Sequence, residues 1–123
     1  MAWNFNPNLP IYAQIIQEMK RRMIRHELSA GERIPSVRDL AKEAGVNPNT
    51  MQKALADLEA EGLLDTERTA GRFITSDGEK LAALRKNYLQ ERLAPLLQEL
   101  QDLGVTPEEL GELTAQYFKE ETP

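Results

Sequence analysis

The feature that most constrains this chain is the stretch 36–62, where two helix starts and two helix stops fall close together. Ser36 is a good N-cap, Asp39 three residues on suits the positive end of the same helix, and Gly45 supplies a left-handed exit. Asn47 then caps a second helix, Pro48 fits its first turn where no amide hydrogen is needed, and Gly62 closes it. Met51, Ala54, Leu55 and Leu58 recur at i, i+3, i+4 and i+7, the stripe that faces a core. Asn49, Thr50, Gln52 and Lys53 are left on or near the other face, in the first two turns, where a recognition helix meets base edges and phosphates. The pattern is a helix-turn-helix. Any amphipathic helix pair in a small bundle also has a polar face, so the residues beyond Gly62 decide between the two readings.

After Gly62 the period changes. Leu63 to Glu67 and Arg72 to Thr75 read as two strands around Arg68, Thr69, Ala70 and Gly71. A helix-turn-helix followed at once by a short hairpin is a winged helix. Arg68 and Arg72 flank a tip suited to a phosphate backbone or a minor groove; the alternative is a structural hairpin with solvated arginines.

Upstream, Trp3, Phe5 and Leu9 among three asparagines and a proline suggest an irregular arm, with Trp3 packing on the domain ahead of any role as a ligand platform. Pro10 opens a helix through about His26, with Tyr12, Ile15, Ile16, Met19 and Met23 on its apolar side. Lys20, Arg21, Arg22 and Arg25 on that helix form either a solvated face or, less commonly for such a run, a phosphate contact. Arg33, Ile34 and Pro35 make a short extended lead-in to Ser36.

Downstream of Asp77 the chain is helical and leucine-rich. Leu81, Leu84, Tyr88, Leu89, Leu93, Leu96, Leu97, Leu100 and Leu103 form a stripe too long for one small domain to cover. Pro95 predicts a kink or break near 91–94. Gly104 ends this element, and Thr106, Pro107 and Glu109 start a last helix that offers Leu110, Leu113, Tyr117 and Phe118. The expected organisation is a winged helix-turn-helix domain over 1–76 and a helical region over 77–123 whose apolar side chains pair two copies of the chain. The fold class is mainly α with a small β-hairpin wing and a two-helix C-terminal dimerisation tail.

Composition bears on partners and excludes most enzyme chemistry. The net charge of −5 is unevenly placed: 79–123 hold 5 basic against 9 acidic residues, whereas 33–56 hold 4 basic against 2 acidic. A DNA-binding face needs a local basic patch, and the sign of the whole molecule matters less. There is no cysteine and one histidine, which leaves no thiolate metal site and no cysteine nucleophile, and no catalytic residue, metal or cofactor is expected. Asp65 and Glu67, two apart on a strand, suit a solvated edge better than acid/base work. No membrane span or signal peptide is expected, and the expected location is the cytoplasm.

Five motifs occur in order and at matching separations: Pro10-Ile11-Tyr12-x-Gln14-Ile15; Ile34-Pro35-Ser36-x-Arg38-x-Leu40-Ala41; Gly45-Val46-Asn47-Pro48-Asn49-Thr50; Leu58-Glu59-x-Glu61-Gly62-Leu63; and Gly71-x-Phe73. Together they resemble the winged-helix domain of the GntR family of bacterial transcription regulators. The short helical tail and the Asn-Pro-Asn-Thr start of the recognition helix resemble its YtrA subfamily. That resemblance implies a dimeric repressor on double-stranded operator DNA, often encoded beside ABC transporter genes. It also implies that Ser36 and Arg38 make the family's Pro-Ser-x-Arg contact to DNA, and that Asn49, Thr50 and Gln52 fall at recognition-helix contact positions. Asn47, Lys53, Arg68, Thr69, Gly71 and Arg72 complete the expected DNA face. Two departures stand out: Pro48 replaces an arginine that reads guanine in many relatives, and Thr69 replaces a wing glycine. No effector site is singled out by the sequence. The other reading is a winged-helix protein-interaction adaptor without DNA binding, against which Arg38, Asn49, Gln52 and Arg72 speak.

Overall fold

The computed structural model describes residues 3–121, with side chains as far as Lys119; the outermost residues of the two expected domains, 1–2 and 122–123, lie outside that range. The elements are α1 (Ile11–Ile24), α2 (Val37–Ala44), α3 (Pro48–Ala60), β1 (Leu64–Glu67), β2 (Gly71–Ile74), α4 (Gly78–Asp102) and α5 (Pro107–Glu121). They divide into two compact units, Met1–Arg85 and Lys86–Pro123.

The first unit is a winged helix-turn-helix. Ser36 Oγ accepts the Asp39 amide at 3.1 Å and Asn47 Oδ1 accepts the Asn49 amide at 2.7 Å, so both helices begin on side-chain caps. Both also end alike. Gly45 and Gly62 take φ values of 71° and 80°, which turns the next amide back onto the helix: Val46 donates to the Ala41 carbonyl and Leu63 to that of Leu58, each at 3.0 Å. Met51, Ala54, Leu55 and Leu58 are fully buried against Ile15, Met19 and Met23 of α1, Leu40 and Ala41 of α2, and Leu64 and Ile74 of the hairpin. Each buried leucine or isoleucine contributes roughly 1.5–3 kcal/mol, so this shared face, more than helix propensity, holds the short α2 and α3 in place.

β1 and β2 pair antiparallel with Leu64 opposite Ile74 and Glu67 opposite Gly71. The lead-in to α2 joins them. Arg33 bridges Phe73, the Ile34 amide donates to the Arg72 carbonyl at 3.0 Å, and the Ile74 amide donates to the Glu32 carbonyl at 2.8 Å. The start of α2 is thereby tied directly to the wing.

The basic run on α1 is only partly a solvated face: Arg25 is exposed, 3.8 Å from Glu27, while the other three cations are engaged within the domain. Arg22 is 2% exposed, with its Nε 2.9 Å from Glu18 Oε2 and its guanidinium 4.1 Å from the centre of the Trp3 ring. Arg21 also pairs with Glu18, and Lys20 pairs with Glu61 at 3.0 Å. The N-terminal arm covers this cluster: Trp3 Nε1 donates to Glu43 at 3.3 Å, and the Gln14 side chain pins the arm through the Asn6 amide and carbonyl at 2.8 and 2.9 Å. α1 stops at Ile24, short of the expected end, and His26 adopts φ 61° in the turn beyond it.

α4 starts on Asp77, whose Oδ1 accepts the Glu79 amide at 2.9 Å. Leu84 is buried in the core of the first unit and Leu81 packs against it, so these two positions of the leucine stripe are already covered within one chain. Of the kink or break expected near 91–94, the break does not occur, and α4 is continuous across Pro95. A proline removes one amide donor and crowds one carbonyl, and the turns on either side keep their own bonds in a helix of 25 residues. α4 ends on Gly104, with Val105 donating to the Leu100 carbonyl at 3.0 Å, and Thr106 Oγ1 caps α5 through the Glu109 amide at 3.1 Å. Leu89, Leu93, Leu96, Leu97, Leu103, Leu113, Tyr117 and Phe118 are exposed, while Tyr88, Leu100 and Leu110 are half-buried. No helix among the described residues is long and apolar enough to cross a membrane.

Candidate nucleic-acid interface

α3 turns its four core residues inward, and the opposite face carries Asn49, Gln52, Lys53 and Ala56, all exposed. Asn49 and Gln52 have amide side chains that can fork onto an adenine edge. Ala56, one turn beyond Gln52, does not stand out in the sequence because alanine is neutral in any pattern; exposed on this face, its methyl suits contact with a thymine methyl. Thr50 is half-buried at the edge of the face. The Lys53 ammonium lies 4.6 Å from the centre of the Tyr12 ring of α1, which holds it beside the helix start. Asn47 is exposed, with one side-chain oxygen engaged in the α3 cap.

Arg38 lies in the first turn of α2, exposed, with no carboxylate partner among the described residues. A cation there faces the positive end of the helix dipole, an arrangement unfavourable by roughly 0.3–1 kcal/mol. Local rules are broken most often where a residue serves a function, and an unpaired guanidinium at this place is such a break. Ser36 Oγ uses a lone pair in the cap and keeps its hydroxyl proton to donate, which suits a phosphate oxygen.

At the wing tip Arg68 and Thr69 are exposed. Arg72 is not. Its side chain turns back to α3, where Nε lies 3.5 Å from Glu59 Oε2 with only 19% of the side chain accessible, and Gly71 beside it is half-buried. Arg72 thus lies between the wing and the recognition helix, its Nε near Glu59 but without a hydrogen bond. Beside it stands Arg33, which the sequence presents only as part of a lead-in. Its guanidinium lies across Gly71, with Nε 3.3 Å from where a Cβ would stand. A cleft of about 300 Å³ between the wing and the start of α2 gathers Arg33, Ser36, Arg68 and Arg72 with one carboxylate, Glu67.

A recognition helix, a capped helix start carrying an unpaired arginine, and a wing braced to both form one surface. The family model "Bacterial regulatory proteins, gntR family" matches residues 11–74, the segment that builds it. The chain belongs to this family. The HTH-type transcriptional repressor YtrA of Bacillus subtilis (strain 168) is 38% identical over 104 residues, covering 84% of this chain and 80% of its own length. The uncharacterized HTH-type transcriptional regulator YhcF of the same organism is 36% identical over 108 residues, covering 88% and 89%. A GntR family transcriptional regulator from Listeria monocytogenes superposes with a TM-score of 0.85 at 28% identity, over 91% of this chain and 98% of that one. The GntR-family winged helix-turn-helix is a DNA-binding fold of transcription regulators, and the similarity to YtrA and YhcF extends past the wing into the helical tail.

Proposed function

We propose that this GntR-family protein is a homodimeric transcriptional repressor that binds an inverted-repeat operator, with α3 in the major groove and the wing on the adjacent minor groove. The observation that carries the reading is the pairing of an exposed amide-rich face on α3 with the unpaired Arg38 at the start of α2. Amides and a guanidinium are the side-chain groups that pair bidentately with adenine and guanine edges. Repression rests on the similarity to YtrA, named a repressor. An ABC transporter operon as the target rests on the YtrA-subfamily resemblance. The adaptor reading has no observation in its favour beyond the acidic total charge.

Dimerisation is supported by the tail. Leu89, Leu93, Leu96, Leu100 and Leu103 succeed one another at spacings of four and three, the rhythm of a coiled-coil seam, and four of the five are exposed in the single chain. Tyr88, Leu97 and Leu110, with Leu113, Tyr117 and Phe118, extend the apolar area. A monomer seldom leaves this much apolar surface in water, and two-fold pairing closes it without leaving an open end.

Two measurements test the proposal. Sequencing of genomic fragments retained by the purified protein should return a two-fold related motif, and footprinting should place its half-sites on one face of the duplex about one helical turn apart or slightly more, because protein symmetry is mirrored in the site. A single unrepeated element would count against it. Leu93→Asp with Leu96→Asp should convert a sedimenting dimer to a folded monomer and weaken operator binding at least tenfold. Both side chains are about half exposed, so the single chain loses little by the change. A wild-type protein that sediments as a monomer at micromolar concentration would rule out the dimer.

A further inference from the structure

We propose that the cleft between the wing and the start of α2 seats the sugar-phosphate ridge of the DNA, and that Arg33 is its principal contact there. The inference rests on the DNA-binding reading above and adds to it a residue and a binding surface.

On a duplex, the strand that separates a major groove from its neighbouring minor groove is a ridge of phosphates. A protein that places a helix in one groove and a hairpin tip in the other must cross that ridge, and whatever lies between the two elements faces it. In this fold the intervening feature is the cleft, about 300 Å³, with Arg33 and Arg68 on its walls against the single carboxylate of Glu67. Arg72 also lines it, with its Nε 3.5 Å from Glu59 Oε2. Arg33 is exposed and has no carboxylate partner among the described residues.

Arg33 is also held in place before any DNA arrives. Its backbone bridges Phe73, the next residue's amide is bonded to the Arg72 carbonyl, and its guanidinium rests on Gly71. Gly71 has φ 105°, a conformation that favours glycine, and the missing side chain leaves the room the guanidinium occupies. A guanidinium fixed this way loses little freedom on binding and presents a planar fork of donors suited to two phosphate oxygens. Phosphate contacts set register and carry no sequence information, so Arg33 supplies affinity and not discrimination.

The test uses a duplex recovered by the wild-type protein from a random pool, with binding monitored by fluorescence anisotropy at several salt concentrations. Arg33→Ala should bind that duplex and unrelated duplexes about tenfold more weakly, by the same factor on each. Its plot of log affinity against log salt should be shallower by about 2, one phosphate per protomer. Arg33→Lys should keep the slope. A scan with single neutral methylphosphonates should find one position per half-site that weakens wild type and leaves Arg33→Ala unaffected. Unchanged affinity and slope in Arg33→Ala would overturn the inference while the DNA-binding reading stands, and a loss confined to one base pair would overturn it in favour of base reading. A wild type that recovers no duplex would instead remove the reading beneath it. Unaltered thermal midpoints certify the variants, and Arg33→Gln, which keeps the stem on Gly71, replaces the alanine variant if that one unfolds.

Discussion

Glu18→Ala is expected to lower the unfolding free energy by about 3 kcal/mol, the low end of what removing one partner from a buried ion pair costs. The charge left behind is the reason. Arg22 is 2% exposed, its Nε bonds Glu18 at 2.9 Å and its guanidinium lies 4.1 Å from the centre of the Trp3 ring, so deleting the carboxylate takes an ion-pair partner from a buried charge. The low end applies because the Glu18 side chain is 22% exposed and water can reach part of the vacated space. Replacing both partners together, Glu18→Met with Arg22→Met, should be much less damaging than the two single changes added, since an apolar pair leaves no buried charge. Urea unfolding of the four proteins measures this, and a loss below about 1 kcal/mol for Glu18→Ala would refute it.

The same pair sets an acid limit. Burial alone would raise the Glu18 carboxyl, but hydrogen bonds from Arg21 and Arg22, together with their charges, outweigh it and hold the group below its ordinary value of 4.5. A carboxyl lowered in the folded state contributes stability that is fully present above 4.5 and is lost as pH falls through the folded value. Glu18→Gln should therefore be less stable than wild type at neutral pH and show a flatter decline on acidification below 4.5. Parallel stability-against-pH curves for the two proteins would contradict the assignment.

Which features were readable in the sequence depends on how local their causes are. Ser36, Gly45, Asn47, Pro48 and Gly62 act within a turn of themselves, so the helix-turn-helix and its core stripe stand in the sequence with nearly their final limits. Leu63 to Thr75 change period over a few residues, which is enough for a hairpin. Arg22 was not readable, because what buries it is an arm whose Trp3 arrives from nineteen positions away, and a run of four cations looks the same whether or not something covers it. Pro95 does not break α4 for the opposite reason: the local rule is sound, but a long helix tolerates one missing bond. The places of Arg33 and Arg72 depend on strand register. The lead-in pairs with β2, which places Arg33 over Gly71, while Arg72 meets Glu59 of α3. Alternation around the buried Ile34 was the one hint in the sequence that Arg33 points outward.

Arg38→Ala should be the most damaging single change on the DNA face, and the sign of its effect on the free protein should be the reverse. In the absence of DNA, Arg38 has no carboxylate partner among the described residues and sits at the positive end of α2, so alanine should leave stability unchanged or raise it by a few tenths of a kcal/mol. On the operator the loss should be about 1–3 kcal/mol per half-site, and two half-sites in a dimer bring it to roughly 2–6 kcal/mol, if the guanidinium forks onto a guanine edge. Base reading is the better expectation, since the family resemblance implies a guanine-reading arginine where Pro48 stands and the exposed face of α3 holds only the point charge of Lys53. The two modes separate experimentally. A base reader loses affinity on the operator and relaxes preference at one position per half-site, whereas a phosphate contact weakens all duplexes alike and lowers the salt slope by about 1 for each contact. Paired titrations on operator and scrambled DNA at several salt concentrations, with urea unfolding of the same two proteins, measure all four quantities. Equal operator affinity for wild type and Arg38→Ala would remove Arg38 from the interface. A clear loss of stability in the variant would show that the side chain serves the fold and not the DNA.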